Sequence, residues 1–141
     1  MNPGIIFAIV TAIVFGIWTV FHQKAATHIN SLLGAIIVSL TAAILGAIIL
    51  IPNLKTSLTY STKGLIFVIL TGVCALAVDY FALKAYGSGL QISVAGPIII
   101  GGSIAVAAFI GLFLGESLTL IKVLGLTLVL AGAAILAAFV S

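Results

Sequence analysis

Only two side chains in this sequence of 141 residues carry a carboxylate, those of Asp79 and Glu116. Both lie inside or at the edge of long apolar runs. A carboxylate in apolar surroundings costs free energy, and such residues often mark proton or ion sites. Asp79 is therefore the candidate for binding a coupling proton or cation. The alternatives are an ion pair with Lys84, which a five-residue helical step makes poor, or a position at a membrane interface.

The residues that usually perform enzymatic chemistry form no recognisable constellation. The chain has one cysteine, Cys74, and two histidines, His22 and His28. The sequence offers no paired acids, no metal-ligand spacing and no nucleophile beside a base. We therefore expect no enzymatic activity, no cofactor and no metal site. Five scattered lysines form no basic patch, so we expect no nucleic-acid partner.

The composition indicates that lipid is the solvent. Hydrophobic residues make up 64% of the chain, charged residues 5%, and the mean hydropathy is +1.51. A soluble domain carries about 25% charged residues. A membrane-crossing helix needs about 20 apolar residues, whereas strands of a barrel would alternate in polarity over about 10 residues. The sequence predicts an all-α membrane protein, with one transmembrane domain over residues 1–141 and five spans near residues 3–22, 32–51, 64–85, 92–114 and 118–140.

Aromatic and polar residues recur on one face of the first span, at helical spacing. They are Gly4, Phe7, Thr11, Phe15, Trp18 and His22. Since lipid favours aliphatic side chains, we predict that this face lies against protein or a cavity. The alternative places Trp18 and His22 in an interfacial belt at the end of the span.

Small residues recur every four positions in the second and fourth spans, which predicts close approach between helices. They are Ala35, Ser39, Ala43 and Ala47, and then Ser103, Ala107, Gly111 and Gly115. Gly96 and Pro97, followed by a pair of glycines, also weaken the beginning of the fourth span. This cluster predicts either a broken helix that exposes backbone groups to a substrate or a simple kink.

The turn between the fourth and fifth spans holds Gly115 and Glu116. A carboxylate is tolerated in such a turn at the headgroup level. We predict that Glu116 caps the beginning of the fifth helix, where the macrodipole favours negative charge.

Charges in the loops give almost no signal for orientation. Five spans place Lys55, Lys63 and Lys122 on the side of the N-terminus and Lys24 and Lys84 on the other side. Orientation follows the lysine and arginine asymmetry of short loops. The near balance leaves two possibilities, a weak preference for the N-terminus inside or insertion in both orientations.

Several motifs occur together along the chain. A span led by Pro97 is followed by Leu114-Gly115-Glu116, and the last span contains Leu-Gly at Gly125 and Leu-Ala-Gly at Gly132. The stretches Gly16-Ile-Trp followed by Lys24, and Tyr-Phe-Ala-Leu-Lys-Ala-Tyr at 80–86, accompany them. In this combination, which covers almost the whole chain, the sequence resembles the drug/metabolite transporter superfamily, and most closely its EamA-like branch.

The resemblance implies an architecture and a function. Members commonly hold two inverted five-helix repeats in one chain, and this sequence looks like one repeat. A homodimer, parallel or antiparallel, would then supply ten helices around a substrate site near the midplane. The resemblance implies a multi-pass protein of the plasma (inner) membrane that moves a metabolite, an amino acid or a drug-like molecule by alternating access. The alternative is a non-transporting subunit that assembles with another half-size repeat.

Residue roles follow from the same resemblance and from the polar positions of the spans. The motif residues Gly115, Glu116, Gly125 and Gly132 are expected to be structural. Candidate substrate-pathway residues are Trp18, His22, Asp79, Tyr86, Gln91, Ser93, Pro97 and Ser103. Asp79 is also the candidate for the coupling ion. The expected partners are the lipid bilayer, a small-molecule substrate and a second copy of the chain.

Overall fold

A computed structural model describes residues 3–54, 60–117 and 119–138, apart from the side chain of Asn53. It contains five long helices, α1 (Pro3–Ala26), α2 (Ser31–Leu50), α3 (Thr62–Gly87), α4 (Ile92–Phe113) and α5 (Leu120–Ala138). A short 3-10 turn, Ile51–Asn53, follows α2.

The five helices are each long and apolar enough to cross a membrane. The described ranges contain no strand. The prediction of an all-α protein with five membrane-spanning helices is therefore confirmed. Lys55, Leu118 and residues 139–140, which entered the predictions for the loops and the fifth span, lie outside the described residues.

Side-chain caps set where α2 and α3 begin. The Oδ1 atom of Asn30 accepts hydrogen bonds from the backbone N–H groups of Leu32 (3.0 Å) and Leu33 (3.3 Å). The Oγ atom of Ser61 accepts one from Gly64 (3.1 Å). The first backbone N–H groups of a helix have no partner within the helix, and each one left unsatisfied in lipid costs several kcal/mol. Asn30 and Ser61 therefore supply the hydrogen-bond acceptors for these N–H groups, which apolar side chains cannot supply.

The chain divides into two compact units. One comprises Met1–Val20 with Gly89–Ser141, and the other comprises Phe21–Ser88. In the first unit α4 packs against α5, and in the second α2 packs against α3. Each unit has its own close contact between helices.

In the Phe21–Ser88 unit, α2 approaches α3 at Gly34 and Ala35. Leu83 of α3 is only 1% exposed. A Cβ atom built on Gly34 would lie 2.7 Å from Leu83 Cδ1, so glycine is needed for this approach. The predicted small-residue face of α2 is used at its beginning, whereas Ala43 and Ala47 are exposed. The absence of a side chain at one position determines how closely α2 and α3 pack.

In the other unit, Gly101 determines how closely α4 approaches α5. A Cβ atom on Gly101 would lie 2.9 Å from the Cβ of Ala133. Of the predicted small-residue face of α4, Gly111 is buried, whereas Ser103 and Ala107 are exposed in this single chain. Lipid and protein are both apolar, so small-residue spacing alone does not identify which face meets a neighbouring helix.

The helix α4 continues through Gly96 and Pro97 from Ile92 to Phe113. Of the two predictions for this cluster, a broken helix is therefore wrong. Pro97 lies in the second turn of the helix and has no N–H to donate to the carbonyl of Ser93, which would normally receive it. The helix therefore lacks one backbone hydrogen bond, the one to the carbonyl of Ser93, but it is not interrupted.

The end of α4 is a glycine-terminated turn. Gly115 has φ +89°, a left-handed conformation that favours glycine. Its N–H donates to the carbonyl of Leu112 (3.1 Å), and the N–H of Glu116 donates to that of Gly111 (2.9 Å). These two bonds form a Schellman motif, which satisfies carbonyls at the helix end. The Leu-Gly-Glu sequence therefore terminates α4.

The prediction that Glu116 caps α5 is wrong. The carboxylate of Glu116 folds back beside Gly111 of α4, since a Cβ atom on that glycine would lie 3.1 Å from Glu116 Oε2. The polar group at the beginning of α5 is the Oγ1 of Thr119, which lies 3.4 Å from the backbone nitrogen of Lys122. The Schellman turn directs the carboxylate of Glu116 toward α4, the preceding helix. The macrodipole of α5 therefore does not account for the position of this carboxylate.

Candidate functional site

The Phe21–Ser88 unit contains a buried pair of an imidazole and a carboxylate. His22 Nε2 of α1 lies 3.3 Å from Asp79 Oδ1 of α3, and the two side chains are 4% and 10% exposed. A tight charge-assisted N–H···O bond measures about 2.7–2.9 Å, so this contact is long. With one proton between them the two groups are neutral as a pair. Adding or removing a proton would leave a net charge in apolar surroundings, which is costly.

This pair bears on two alternatives left by the sequence. His22 is buried inside the unit and does not lie on its surface. An ion pair between Asp79 and Lys84 is wrong, because Lys84 is exposed and its Nζ lies 5.8 Å from the centroid of the Tyr80 ring. The structure thus gives Asp79 a different partner.

Asp79 belongs to the buried face of α3. The buried residues of this helix are Asp79, Ala82, Leu83 and Tyr86, at positions i, i+3, i+4 and i+7. A rise of about 1.5 Å per residue places Tyr86 about 10 Å from Asp79 along the helix axis. Both pathway candidates of α3 therefore face the interior of the unit, about two helical turns apart.

The other unit contains a groove with a volume of ≈ 530 Å³. Segments of α1, α4 and α5 line it. The lining residues are Gly16, Thr19, Ile92, Ser93, Gly96, Pro97, Ile100, Gly101, Leu128, Val129, Gly132, Ala133 and Leu136. Thr19 and Ser93 supply the polar side chains of this set, and no charged residue belongs to it. The groove is therefore an apolar surface with two hydroxyl groups.

The structure divides the predicted pathway residues between these two places. His22, Asp79 and Tyr86 are buried in the Phe21–Ser88 unit. Ser93 and Pro97 line the groove of the other unit.

Three further pathway candidates belong to neither set. Trp18 is half-buried and stacks on Phe15 with ring centroids 4.9 Å apart. Gln91 and Ser103 are exposed, and the Ser103 hydroxyl donates to the carbonyl of Ile100. At the beginning of α1 the predicted aromatic face is not covered within this single chain, where Phe7 is 71% exposed.

Thr19 was missed by the sequence reasoning. It is 4% exposed, lines the groove, and its hydroxyl donates to the carbonyl of Phe15 (2.8 Å). Thr19 lies one helical turn after Gly16, which also lines the groove. A face defined by small and hydroxylated residues, rather than by aromatic ones, would have identified both.

Among the described residues, no group of three or more His, Cys, Asp and Glu side chains is placed to hold a metal ion. Cys74 is a free thiol and is exposed. The chemistry available in the two described sites is proton binding at the pair and hydrogen bonding in the groove.

Comparison with known proteins identifies a family. The family model described as the EamA-like transporter family matches residues 2–138. No match was found among curated proteins or among solved structures. The matched range includes all five helices, so the resemblance carried by the sequence motifs is confirmed.

Proposed function

We propose that this chain, which belongs to the EamA-like transporter family, carries a small organic molecule across a membrane by alternating access. Family membership and five spanning helices make it a multi-pass membrane protein of the drug/metabolite transporter kind. The family match over residues 2–138 is the observation that carries the proposal. The proposed location is the plasma membrane, and the proposed cargo is a metabolite, an amino acid or a drug-like molecule.

Proton coupling is assigned to Asp79, with His22 as its partner. Support comes from their burial and from the 3.3 Å contact between His22 Nε2 and Asp79 Oδ1. Because a net charge on the buried pair is costly, its proton would exchange when water reaches it. A conformational change that admits water from one side and then from the other would make that exchange vectorial. The pair would thereby link a proton gradient to transport.

The proposed assembly is a homodimer of five-helix repeats. Its support is the inverted-repeat arrangement of many carriers, in which two repeats enclose a site near the midplane. The near balance of lysines between the two sides is compatible with an antiparallel pair. Reporter fusions to the C-terminus test this directly. Molecules in both orientations would support the antiparallel dimer, and one orientation would contradict it while leaving a parallel dimer.

Transport itself is tested with purified protein in lipid vesicles. We expect uptake of at least one compound from a panel of amino acids, nucleosides and cationic drugs, with a rate that depends on a proton gradient. Asp79→Asn should remove the dependence on the gradient. Glu116→Gln is the matched control, because it removes the other carboxylate of the chain, which is exposed. Absence of uptake for the whole panel, with and without the gradient, would contradict the proposed function.

A further inference from the structure

We propose that the groove formed by α1, α4 and α5 binds an uncharged, mainly apolar molecule that donates a hydrogen bond to it. This inference rests on the proposed transport function and specifies the class of its substrate. It concerns residues of the unit that comprises Met1–Val20 and Gly89–Ser141, and does not involve the buried His–Asp pair.

Charge limits what the groove can hold. None of its lining residues carries a charge, and most are glycine, alanine or aliphatic residues. A charged ligand would lose hydration there without meeting an opposite charge, which costs several kcal/mol or more. The groove therefore selects neutral molecules. A cation would find its counter-charge elsewhere in the chain, at a carboxylate that does not line this groove.

Hydrogen-bond polarity limits the ligand further. The Thr19 hydroxyl already donates its proton to the carbonyl of Phe15 (2.8 Å), so only its lone pairs remain for a ligand. The carbonyl of Ser93 cannot receive the usual helical N–H, because residue 97 is a proline that itself lines the groove. The Thr19 oxygen and this carbonyl are acceptors, whereas the Ser93 hydroxyl can donate or accept. A ligand that bonds to Thr19 must therefore carry an O–H or N–H group.

The groove has the volume of a ligand site. Its ≈ 530 Å³ falls within the range of about 300–1,000 Å³ that is usual for small-molecule pockets. A Cβ atom on Gly16 or Gly132 would meet nothing within 4 Å, so these two glycines are not needed for helix packing. Gly101, which also lines the groove, is needed, because its Cβ would lie 2.9 Å from that of Ala133. Side chains added at Gly16 and Gly132 therefore have open space to occupy.

The test measures equilibrium binding of four probes to the purified protein in lipid nanodiscs, with empty nanodiscs as background. The probes are benzyl alcohol, benzyl methyl ether, benzylammonium and benzoate, which share a ring and differ in charge and in donor capacity. We expect the alcohol to bind about threefold to tenfold more tightly than the ether, the size of one net hydrogen bond. We expect the two ions not to bind above background. Equal affinity for alcohol and ether, as for a groove filled by a lipid chain, would overturn the inference.

Variants assign the binding to the groove. Thr19→Val keeps the shape and removes the acceptor, so it should weaken binding of the alcohol and leave the ether unchanged, whereas Thr19→Ser should retain the preference. Gly132→Leu and Gly16→Leu, on different helices, should fill the groove and lower alcohol affinity by about tenfold or more, a free-energy change of about 1.4 kcal/mol.

Gly125→Leu is the control for the groove-filling variants. Gly125 belongs to α5, has open space around its Cβ position and does not line the groove. Size-exclusion chromatography establishes that each variant is folded. Unchanged alcohol binding in both groove-filling variants would overturn the inference.

Binding and transport can fail independently. The predicted binding pattern in a protein that moves no compound would contradict the proposed transport and leave the groove assignment intact. Transport that persists unchanged in Gly16→Leu and Gly132→Leu would contradict the groove as substrate site and leave the transport function intact.

Discussion

The contact between His22 and Asp79 predicts a measurable coupling energy. We consider three variants, His22→Ala, Asp79→Ala and the double variant, each unfolded by titration with a denaturing detergent in mixed micelles. If the two side chains interact in the folded state, the double variant will lose less stability than the sum of the single variants. The difference isolates the pairwise energy from other effects of each substitution.

The expected size follows from the geometry. Two unit charges at 3.3 Å attract by about 5 kcal/mol at an effective dielectric constant of about 20. That value is an upper limit for two reasons. The pair can become neutral when its proton moves from His22 to Asp79, and in each single variant the remaining group can also become neutral. At 3.3 Å the contact is longer than a tight charge-assisted hydrogen bond, so the net energy of an ordinary hydrogen bond is the appropriate scale. We therefore expect a coupling energy of about 0.5–1.5 kcal/mol.

Lys84 provides the control for this cycle. Lys84 is exposed and lies over the ring of Tyr80, 5.8 Å from its centroid. The cycle of Lys84→Ala with Asp79→Ala should therefore be additive within about 0.5 kcal/mol. A coupling energy below about 0.5 kcal/mol between His22 and Asp79, or a larger one between Lys84 and Asp79, would refute the pairing.

Three glycine substitutions give further predictions, each measured by the same unfolding titration. Gly34→Ala places a Cβ atom 2.7 Å from a buried leucine and should cost about 1–3 kcal/mol through overpacking, whereas Gly46→Ala meets nothing within 4 Å and should cost nothing. Gly101→Ala places its Cβ 2.9 Å from an alanine Cβ that cannot rotate away and should also cost about 1–3 kcal/mol, while Gly102→Ala, with open space, should stay within about 0.5 kcal/mol. Gly115→Ala must hold a φ of +89° and should cost about 1–2 kcal/mol; unchanged stability would contradict the Schellman turn.

The number and type of helices could be predicted because lipid imposes a length. A chain crossing the hydrocarbon core must satisfy its backbone internally, so apolar runs of about 20 residues become helices. The ends were less predictable. The first span was predicted to end at His22, but α1 continues to Ala26, and therefore His22 lies inside the helix. A helix can continue through polar residues beyond the end of an apolar run. Hydropathy alone does not predict this continuation.

The faces of the helices could not be predicted in the same way. In a soluble protein an apolar stripe marks the buried face, but here lipid and protein interior are equally apolar. The aromatic face of α1 is therefore predicted to lie against protein or a cavity, although Phe7 is exposed in this single chain. The partner of Asp79 was missed for the same reason. His22 is far from it in sequence, and no pattern in either helix indicates which faces meet.

The turn at Gly115 and Glu116 is only partly predictable from the local sequence. The sequence located the turn between the last two helices, and the motif was correctly recognised as belonging to a family. Glu116 was nevertheless assigned to the helix that follows. A glycine directly after the last apolar residue is the usual sign of a left-handed helix end. The position of Gly115 therefore predicts that the Leu-Gly-Glu motif ends α4, and it is a better guide here than the charge of Glu116.

The most direct test of proton-coupled transport by this chain measures substrate uptake and internal pH together in vesicles that contain the purified protein. For a compound that the wild-type protein transports, we predict that substrate addition moves protons, that Asp79→Asn abolishes this proton movement, and that Glu116→Gln preserves it. Substrate-driven proton movement that is unchanged in Asp79→Asn would contradict the assignment of coupling to the buried His–Asp pair.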